Sequence, residues 1–248
     1  MSKKEPGKAL VTGGSTGIGL EISQTLARHG YDVAMTSRNV SKLNKIITHP
    51  DFNNVTALPL ELELLSEESI IDVIQRTTDA FGKIDVLVNN AATALIKPAI
   101  EVTWDDWDTV VHANLKGAYF LSTEFAKQCI NIEQTGSIVN IASTHGLLGF
   151  SGRSVYGTSK GGMIQMTRML AIEWADKNIR VNTVSPGTVM TDSRKISLDD
   201  EAQAKMLQRI PYGRFPEEAD IAGAVLYLVE ADNVTGQTIV VDGGMSVA

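Results

Sequence analysis

The stretch Thr12-Gly13-Gly14-Ser15-Thr16-Gly17-Ile18-Gly19 constrains this chain most, because it joins an apolar run to an amphipathic one. Ala9, Leu10 and Val11 precede it, while Ile18, Ile22 and Leu26 recur at every fourth position before Gly30. That order reads as strand, tight glycine turn and helix. Glycine permits the turn and a close backbone approach, and the free N–H groups and dipole of a helix start attract an anion. A purely structural turn would account for a lone glycine cluster. With strand and helix in the right order, the segment points to a dinucleotide pyrophosphate held by Gly13, Ser15, Thr16, Gly17, Ile18 and Gly19.

Six more β-rich runs follow: Val33-Ala34-Met35, Val55 to Leu58, Val86-Leu87-Val88, Ser137 to Ile141, Val181 to Val184 and Thr238 to Val241. Helical patterns lie between them, such as Ile70, Val73, Ile74 and Phe81 ahead of Gly82. Near-continuous apolar strands alternating with helices predict an α/β Rossmann fold, a doubly wound parallel sheet of about seven strands with helices on both faces. Ligands of such sheets bind at the carboxyl ends of the strands. No repeat or linker divides the 248 residues, so 1–248 reads as a single dinucleotide-binding and catalytic domain. The long break between Pro186 and Pro216 makes 188–216 the expected substrate lid. Within it, Asp199, Asp200 and Glu201 open a short amphipathic pattern through Met206, Leu207 and Ile210, which as an ordinary surface helix is the alternative.

Composition narrows the partners. A net charge of −7 without any basic run opposes a nucleic acid backbone and an anionic membrane surface. The amino terminus lacks a signal-peptide apolar region and no apolar run reaches the length of a bilayer span, so a cytoplasmic protein is expected. Cys129 is the only cysteine and reads as a small buried hydrophobe in a reducing compartment. His29, His49, His112 and His145 lack ligand spacing, and no metal site is expected.

The choice of dinucleotide turns on the residues after the second strand. An NAD site of this kind has a carboxylate about twenty residues beyond the glycine loop, for the ribose 2′-hydroxyl. Here the segment is Thr36-Ser37-Arg38-Asn39. Arg38 matches a 2′-phosphate, with Ser37 as a further donor, so NADP(H) is expected in preference to NAD(H). The alternatives are Arg38 as a solvated cation and an NAD-dependent sugar or polyol dehydrogenase. Thr16 adds no second positive charge in the loop.

Tyr156 and Lys160 stand one helical turn apart, with Ser143 upstream. A phenol has a pKa near 10, and an ammonium on the same helix face favours its phenolate. One Tyr-x-x-x-Lys arises by chance in roughly one such chain in four, so the surroundings must carry the case.

Together these residues resemble the short-chain dehydrogenase/reductase family, over nearly the whole chain. The family's glycine motif corresponds to Thr12 through Gly19, and its Asn-Asn-Ala-Gly motif to Asn89-Asn90-Ala91-Ala92, with Ala92 in place of glycine. The helix asparagine maps to Asn114, the serine to Ser143 and the Tyr-x-x-x-Lys pair to Tyr156 and Lys160. The resemblance extends to the carboxyl-terminal Val241-Asp242-Gly243-Gly244, and the chain is similar to the 3-oxoacyl carrier-protein reductase and carbonyl or polyol reductase branches. It implies reduction of a ketone, aldehyde or 3-oxoacyl carbonyl, reversibly, by hydride transfer. Tyr156 is then the proton donor, Lys160 tunes it and holds the nicotinamide ribose, Ser143 donates to the substrate oxygen, and Asn114 helps position a relay water. Asn90, Ala91, Pro186, Gly187, Val189 and Thr191 are the implied cofactor neighbours, together with Leu64 and with Glu63, or Glu61 in its stead, near the adenine. A homotetramer is implied as well.

Ala92 would matter if its backbone required positive φ, and a small local adjustment is expected. Thr93, Leu95, His145, Leu147, Leu148, Phe150, Met190 and the lid residues are expected to form a mainly apolar pocket wall. Arg153 reads as a surface ion-pair partner, or else as a contact for an anionic substrate. A non-catalytic dinucleotide-binding sensor or regulatory subunit is the competing class on the same scaffold.

Overall fold

The computed structural model describes residues 7–191 and 199–248. Residues 1–6, on which the signal-peptide expectation rests, and 192–198, part of the expected lid, lie outside the described residues. Seven strands form one sheet: β1 (Lys8–Val11), β2 (Asp32–Ser37), β3 (Ala57–Glu61), β4 (Val86–Asn89), β5 (Gly136–Ile141), β6 (Ile179–Pro186) and β7 (Thr238–Val241). All neighbours pair in parallel, in the order β3-β2-β1-β4-β5-β6-β7. The helices are α1 (Gly17–Arg28), α2 (Val40–Ile46), α3 (Glu67–Phe81), α4 (Trp104–Val111), α5 (Gly117–Asn131), α6 (Ser154–Glu173), α7 (Asp200–Leu207) and α8 (Glu218–Glu230).

The two-residue period of a strand divides the core. Leu10, Leu87, Ile138 and Val181 face Ile70 and Val73 of α3, Leu121 and Phe125 of α5, and Met163 and Leu170 of α6. Their neighbours Ala9, Val11, Val88, Val139 and Val184 face Ile22 and Leu26 of α1 and Ile221, Val225 and Leu228 of α8. Both sheet faces are therefore covered, which is why the strands read as unbroken apolar runs.

β3 departs from expectation. It starts at Ala57, two residues later than the expected Val55, and runs through Pro59 to Glu61. Proline lacks an N–H donor and is tolerated only where one strand edge is unpaired. β3 is the edge strand, paired only with β2, so Pro59 fits there.

Between α4 and α5 the helix widens into a π turn at His112–Lys116. Beneath the carboxyl ends of the central strands a buried polar chain crosses the sheet. Asn89 Nδ2 donates to Asn140 Oδ1 at 2.8 Å, Asn140 Nδ2 to Thr167 Oγ1 at 2.8 Å, and Thr167 meets Thr183 at 2.7 Å. Such chains fix the relative placement of their elements, here β4, β5, α6 and β6, because an unpaired member would be costly.

The direction of winding reverses between β1 and β4. From β1 the chain moves outward to β2 and β3, and from β4 it moves the other way to β5, β6 and β7. A crevice opens where those two connections part, at the strand ends carrying Gly13 and Asn90.

Candidate active site

The glycine loop is tied to the segment after β4. The Asn90 amide donates to Thr12 O at 2.9 Å and to Gly13 O at 3.3 Å, while Thr12 Oγ1 accepts from the N–H groups of Asn90 and Ala91 at 2.9 and 3.0 Å. Gly19 is obligatory in this arrangement, since a Cβ there would fall 2.3 Å from both Asn90 Nδ2 and Gly13 O. Thr16, preceding α1, makes no side-chain cap, and the first turn of α1 holds no acidic residue. By contrast, Ser66 caps α3, Thr103 caps α4 and Asp199 caps α7. The N–H groups at the start of α1 are thus left for a ligand.

A trough of about 740 Å³ runs along this loop, and all six loop residues expected from the sequence line it. One end is walled by Ser37, Arg38 and Lys42, with Glu63 and Leu64 nearby. Ser37 Oγ accepts from Asn39 N at 3.1 Å, which leaves its hydroxyl proton to donate. The Glu63 carboxylate accepts from Leu65 N at 3.1 Å, and Glu61 does not line the trough. Lys42 was not anticipated from the sequence. Its signal is a cation four residues past Arg38, visible only once α2 has a placed start. The trough combines a donor-rich loop with a cationic wall, a lining that fits a phosphate-bearing dinucleotide.

Asn90, Ala91, Ala92, Ile18 and Thr191 also border the trough, and all of these except Ala91 continue into a second cleft of about 190 Å³. The second cleft is lined by Ser143, His145, Arg153, Tyr156, Lys160, Pro186, Gly187 and Val189. Serine, tyrosine and lysine, dispersed over eighteen sequence positions, share this one cavity. Ala92 has no positive φ, since among the described residues only Glu133 and Asn178 do so without being glycine. Ala92 therefore does not occupy the left-handed region that would have required glycine.

Ser143 ends the β5 connection and begins a short 3-10 turn, Thr144–Gly146. That turn lies directly on α6, and Gly157 makes the approach possible: a Cβ there would fall 2.8 Å from His145 O. Lys160 is buried, 1% exposed. Its Nζ donates to Ile141 O at 2.6 Å and lies 5.9 Å from the centre of the Tyr156 ring. Burial disfavours the ammonium and pulls its pKa down to about 7.

Asn114 lies in the π turn and is fully buried, beneath the cleft rather than on its wall. Its Oδ1 accepts from Thr93 N at 2.7 Å, and its Nδ2 donates to Thr93 O at 2.9 Å and Ser159 Oγ at 3.1 Å. Both amide protons are engaged within the protein. The side chain ties the loop after β4 to the residue preceding Lys160.

The cleft wall differs from the apolar one expected. His145 lines it and Thr93 lines the trough, but Leu95, Leu147, Leu148, Phe150 and Met190 line neither cavity. Ala94 and Arg153 stand there instead, Arg153 with Nη1 3.5 Å from Leu95 O. Phe150 lies behind His145, their ring centres 4.2 Å apart. The sequence pattern shows apolar residues near Ser143, but the 3-10 turn decides which of them face the cavity. Cys129 is buried and away from both clefts, its thiol pushed up to about 11 by desolvation.

A family profile described as enoyl-(acyl carrier protein) reductase matches residues 13–246. The 3-oxoacyl-[acyl-carrier-protein] reductase of Staphylococcus epidermidis is 34% identical over 240 residues, covering 96% of this chain and 98% of the relative. A tropinone reductase homolog of Arabidopsis thaliana is 37% identical over 243 residues, covering 96% of this chain and 90% of that protein. The crystal structure of a short-chain type dehydrogenase/reductase from Mycobacterium marinum superimposes with a TM-score of 0.92 at 27% identity, covering 98% of this chain and 96% of that one. With a match of this extent over the glycine loop, the parallel sheet and the Tyr156 cleft alike, the chain belongs to the short-chain dehydrogenase/reductase family of oxidoreductases.

Proposed function

We propose that this oxidoreductase is NADP(H)-dependent and reduces a ketone, aldehyde or 3-oxoacyl carbonyl to the alcohol, reversibly. The observation that carries the proposal is the meeting of Ser143, Tyr156 and Lys160 in a cleft continuous with the trough that ends at Arg38. Arg38, Lys42 and Ser37 are assigned to the 2′-phosphate, the N–H groups of Gly13 to Gly19 to the pyrophosphate, and Glu63 and Leu64 to the adenine side. Asn90, Ala91, Pro186, Gly187, Val189 and Thr191 are assigned to the nicotinamide half. When bound, the reduced nicotinamide supplies a hydride to the carbonyl carbon.

Tyr156 transfers its proton to the substrate oxygen as negative charge develops there. Ser143 donates a hydrogen bond to the same oxygen, a contribution of a few kcal/mol in comparable oxyanion sites. Lys160 in its charged form favours the Tyr156 phenolate and so eases departure of that proton. Asn114 keeps α6 and the loop after β4 in register. Its assignment to a relay water is retained only for its backbone, because both side-chain amide protons are engaged. The names of the two curated relatives, both reductases, support the reductive direction. An NAD-dependent polyol dehydrogenase is disfavoured by the two cations at the trough end.

The whole chain is assigned to one domain acting in the cytoplasm, with 188–216 as a lid. Among the described residues no helix is long and apolar enough to cross a membrane. A homotetramer is supported by exposed apolar side chains on the outer surface of α5 and α6, among them Tyr119, Phe120, Met169 and Ile172.

Four outcomes are expected. Tyr156→Phe should fold and bind NADPH but lose turnover by more than about a hundredfold; steady-state assays on a carbonyl panel check this, and activity within tenfold of wild type would overturn the assignment. Arg38→Ala and Lys42→Ala should each raise the KM for NADPH several-fold more than that for NADH, and equal effects on both would count against the 2′-phosphate site.

Lys160→Met should abolish turnover and yet stabilise the protein. The folded pKa of about 7 lies below the ordinary 10.5, so the unfolded chain binds more protons between those values. The cost of Lys160 is therefore full below pH 7 and fades as pH rises towards 10.5. Urea denaturation should show the mutant's advantage to be larger at about pH 7 than at about pH 9.5. Sedimentation should show a tetramer that Met169→Glu dissociates; a wild-type monomer would refute the assembly.

A further inference from the structure

His145 faces the cleft but has no part in the chemistry assigned above. Its Nδ1 lies 3.1 Å from Ser143 Oγ, and its own backbone N–H donates to that oxygen at 3.2 Å. The ring is held on two sides. Phe150 stacks against it at 4.2 Å with the planes 33° apart, and Tyr156 meets it edge-on at 5.7 Å. Behind Phe150 stands the guanidinium of Arg209, 4.7 Å from the ring centre. Arg209 follows α7 and belongs to the proposed lid. The imidazole thus sits between the serine, the tyrosine and the lid-side stack.

A serine hydroxyl has one proton and two acceptor positions. The backbone N–H of His145 occupies one acceptor position of Ser143. If Nδ1 is bare, the hydroxyl proton is drawn to it, and Ser143 has nothing to donate to a substrate oxygen. If Nδ1 carries a proton, that proton fills the second acceptor position. The hydroxyl proton must then point away from His145, into the cleft.

We propose that His145, with a proton on Nδ1, is a positioning residue that makes Ser143 a hydrogen-bond donor to the substrate oxygen. The ring fixes the direction of one hydroxyl, and so acts on the reaction only through Ser143. This rests on the assignment of Ser143 as donor in carbonyl reduction. Among the described residues, the charged and titratable groups that line this cleft or the stack behind it are Tyr156 and Lys160 on α6, Arg153 at its start, and Arg209 behind Phe150. No carboxylate lines the described cleft.

The geometry distinguishes two amide replacements. Asparagine can present an N–H at the position of Nδ1, whereas the glutamine amide lies one bond further, near the place of Nε2. His145→Asn should keep kcat within about threefold of wild type, while His145→Gln and His145→Ala should lower it about ten- to a hundredfold. The KM and Kd for NADPH should stay unchanged in all three, and circular dichroism with thermal melting identifies any variant that has not folded. In a Ser143→Ala background the further change to His145→Gln should cost less than about twofold, because the residue acted upon is gone.

Equal losses in the asparagine and glutamine variants, or the same loss from His145→Gln with and without Ser143, would overturn the proposal. Failure of the underlying assignment looks different. Wild-type protein without NADPH-dependent carbonyl turnover, or Ser143→Ala as active as wild type, would refute that assignment before His145 is tested.

Discussion

The parallel pairing of β1 with β4 is the constraint from which the rest of the site follows. Because the chain leaves these neighbours in opposite directions, no connection covers their carboxyl ends, and a crevice must remain. Thr12 and Asn90 then stitch its two rims together. Their mutual hydrogen bonds account for the glycine loop lying against Ala91 and for the absence of any side chain at Gly19. The start of α1, left uncapped, points its N–H groups into that crevice.

A second layer of constraint is polar and buried. Asn89, Asn140, Thr167 and Thr183 connect the central strands to α6, while Asn114 connects α6 to the loop after β4. The amide and hydroxyl donors of this set would be costly if left unpaired, so it tolerates little displacement. Tyr156 and Lys160 ride on the helix that both connections hold. Lys160 itself is the opposite case, a cation taken out of water with one carbonyl for compensation and a pKa drawn down to about 7. Stability and chemistry pull against each other at that position. A protein selected only to fold would have an apolar residue there.

Much of this was legible from residue order. The glycine loop between strand and helix, the apolar strand runs and the Gly82 stop after α3 are local patterns, and local steric and hydrophobic rules decide them. Ser143, Tyr156 and Lys160 were legible as candidates by their motif and spacing. Other features were not. β3 continues through Pro59 because it has a neighbour on one side only, a fact about the sheet and not about the segment. Asn114 lies below the cleft because a π turn rotates it there. The apolar character of Phe150 and Leu148 suits a pocket wall, yet the 3-10 turn after Ser143 brings His145 to the wall and puts Phe150 behind it.

The sequence by itself determined the alternation of elements, the anion-binding turn, the cation after β2 and the identity of the reactive side chains, because each depends on residues within one or two turns of chain. Only the tertiary structure decided that Lys42 joins Arg38, that His145 meets Ser143, and that the lysine beside Tyr156 is buried deeply enough for its charge to be in balance near neutrality. The first two depend on how the backbone turns between residues only four and two positions apart, which residue order does not specify, and desolvation depends on everything packed around a group rather than on its neighbours in sequence.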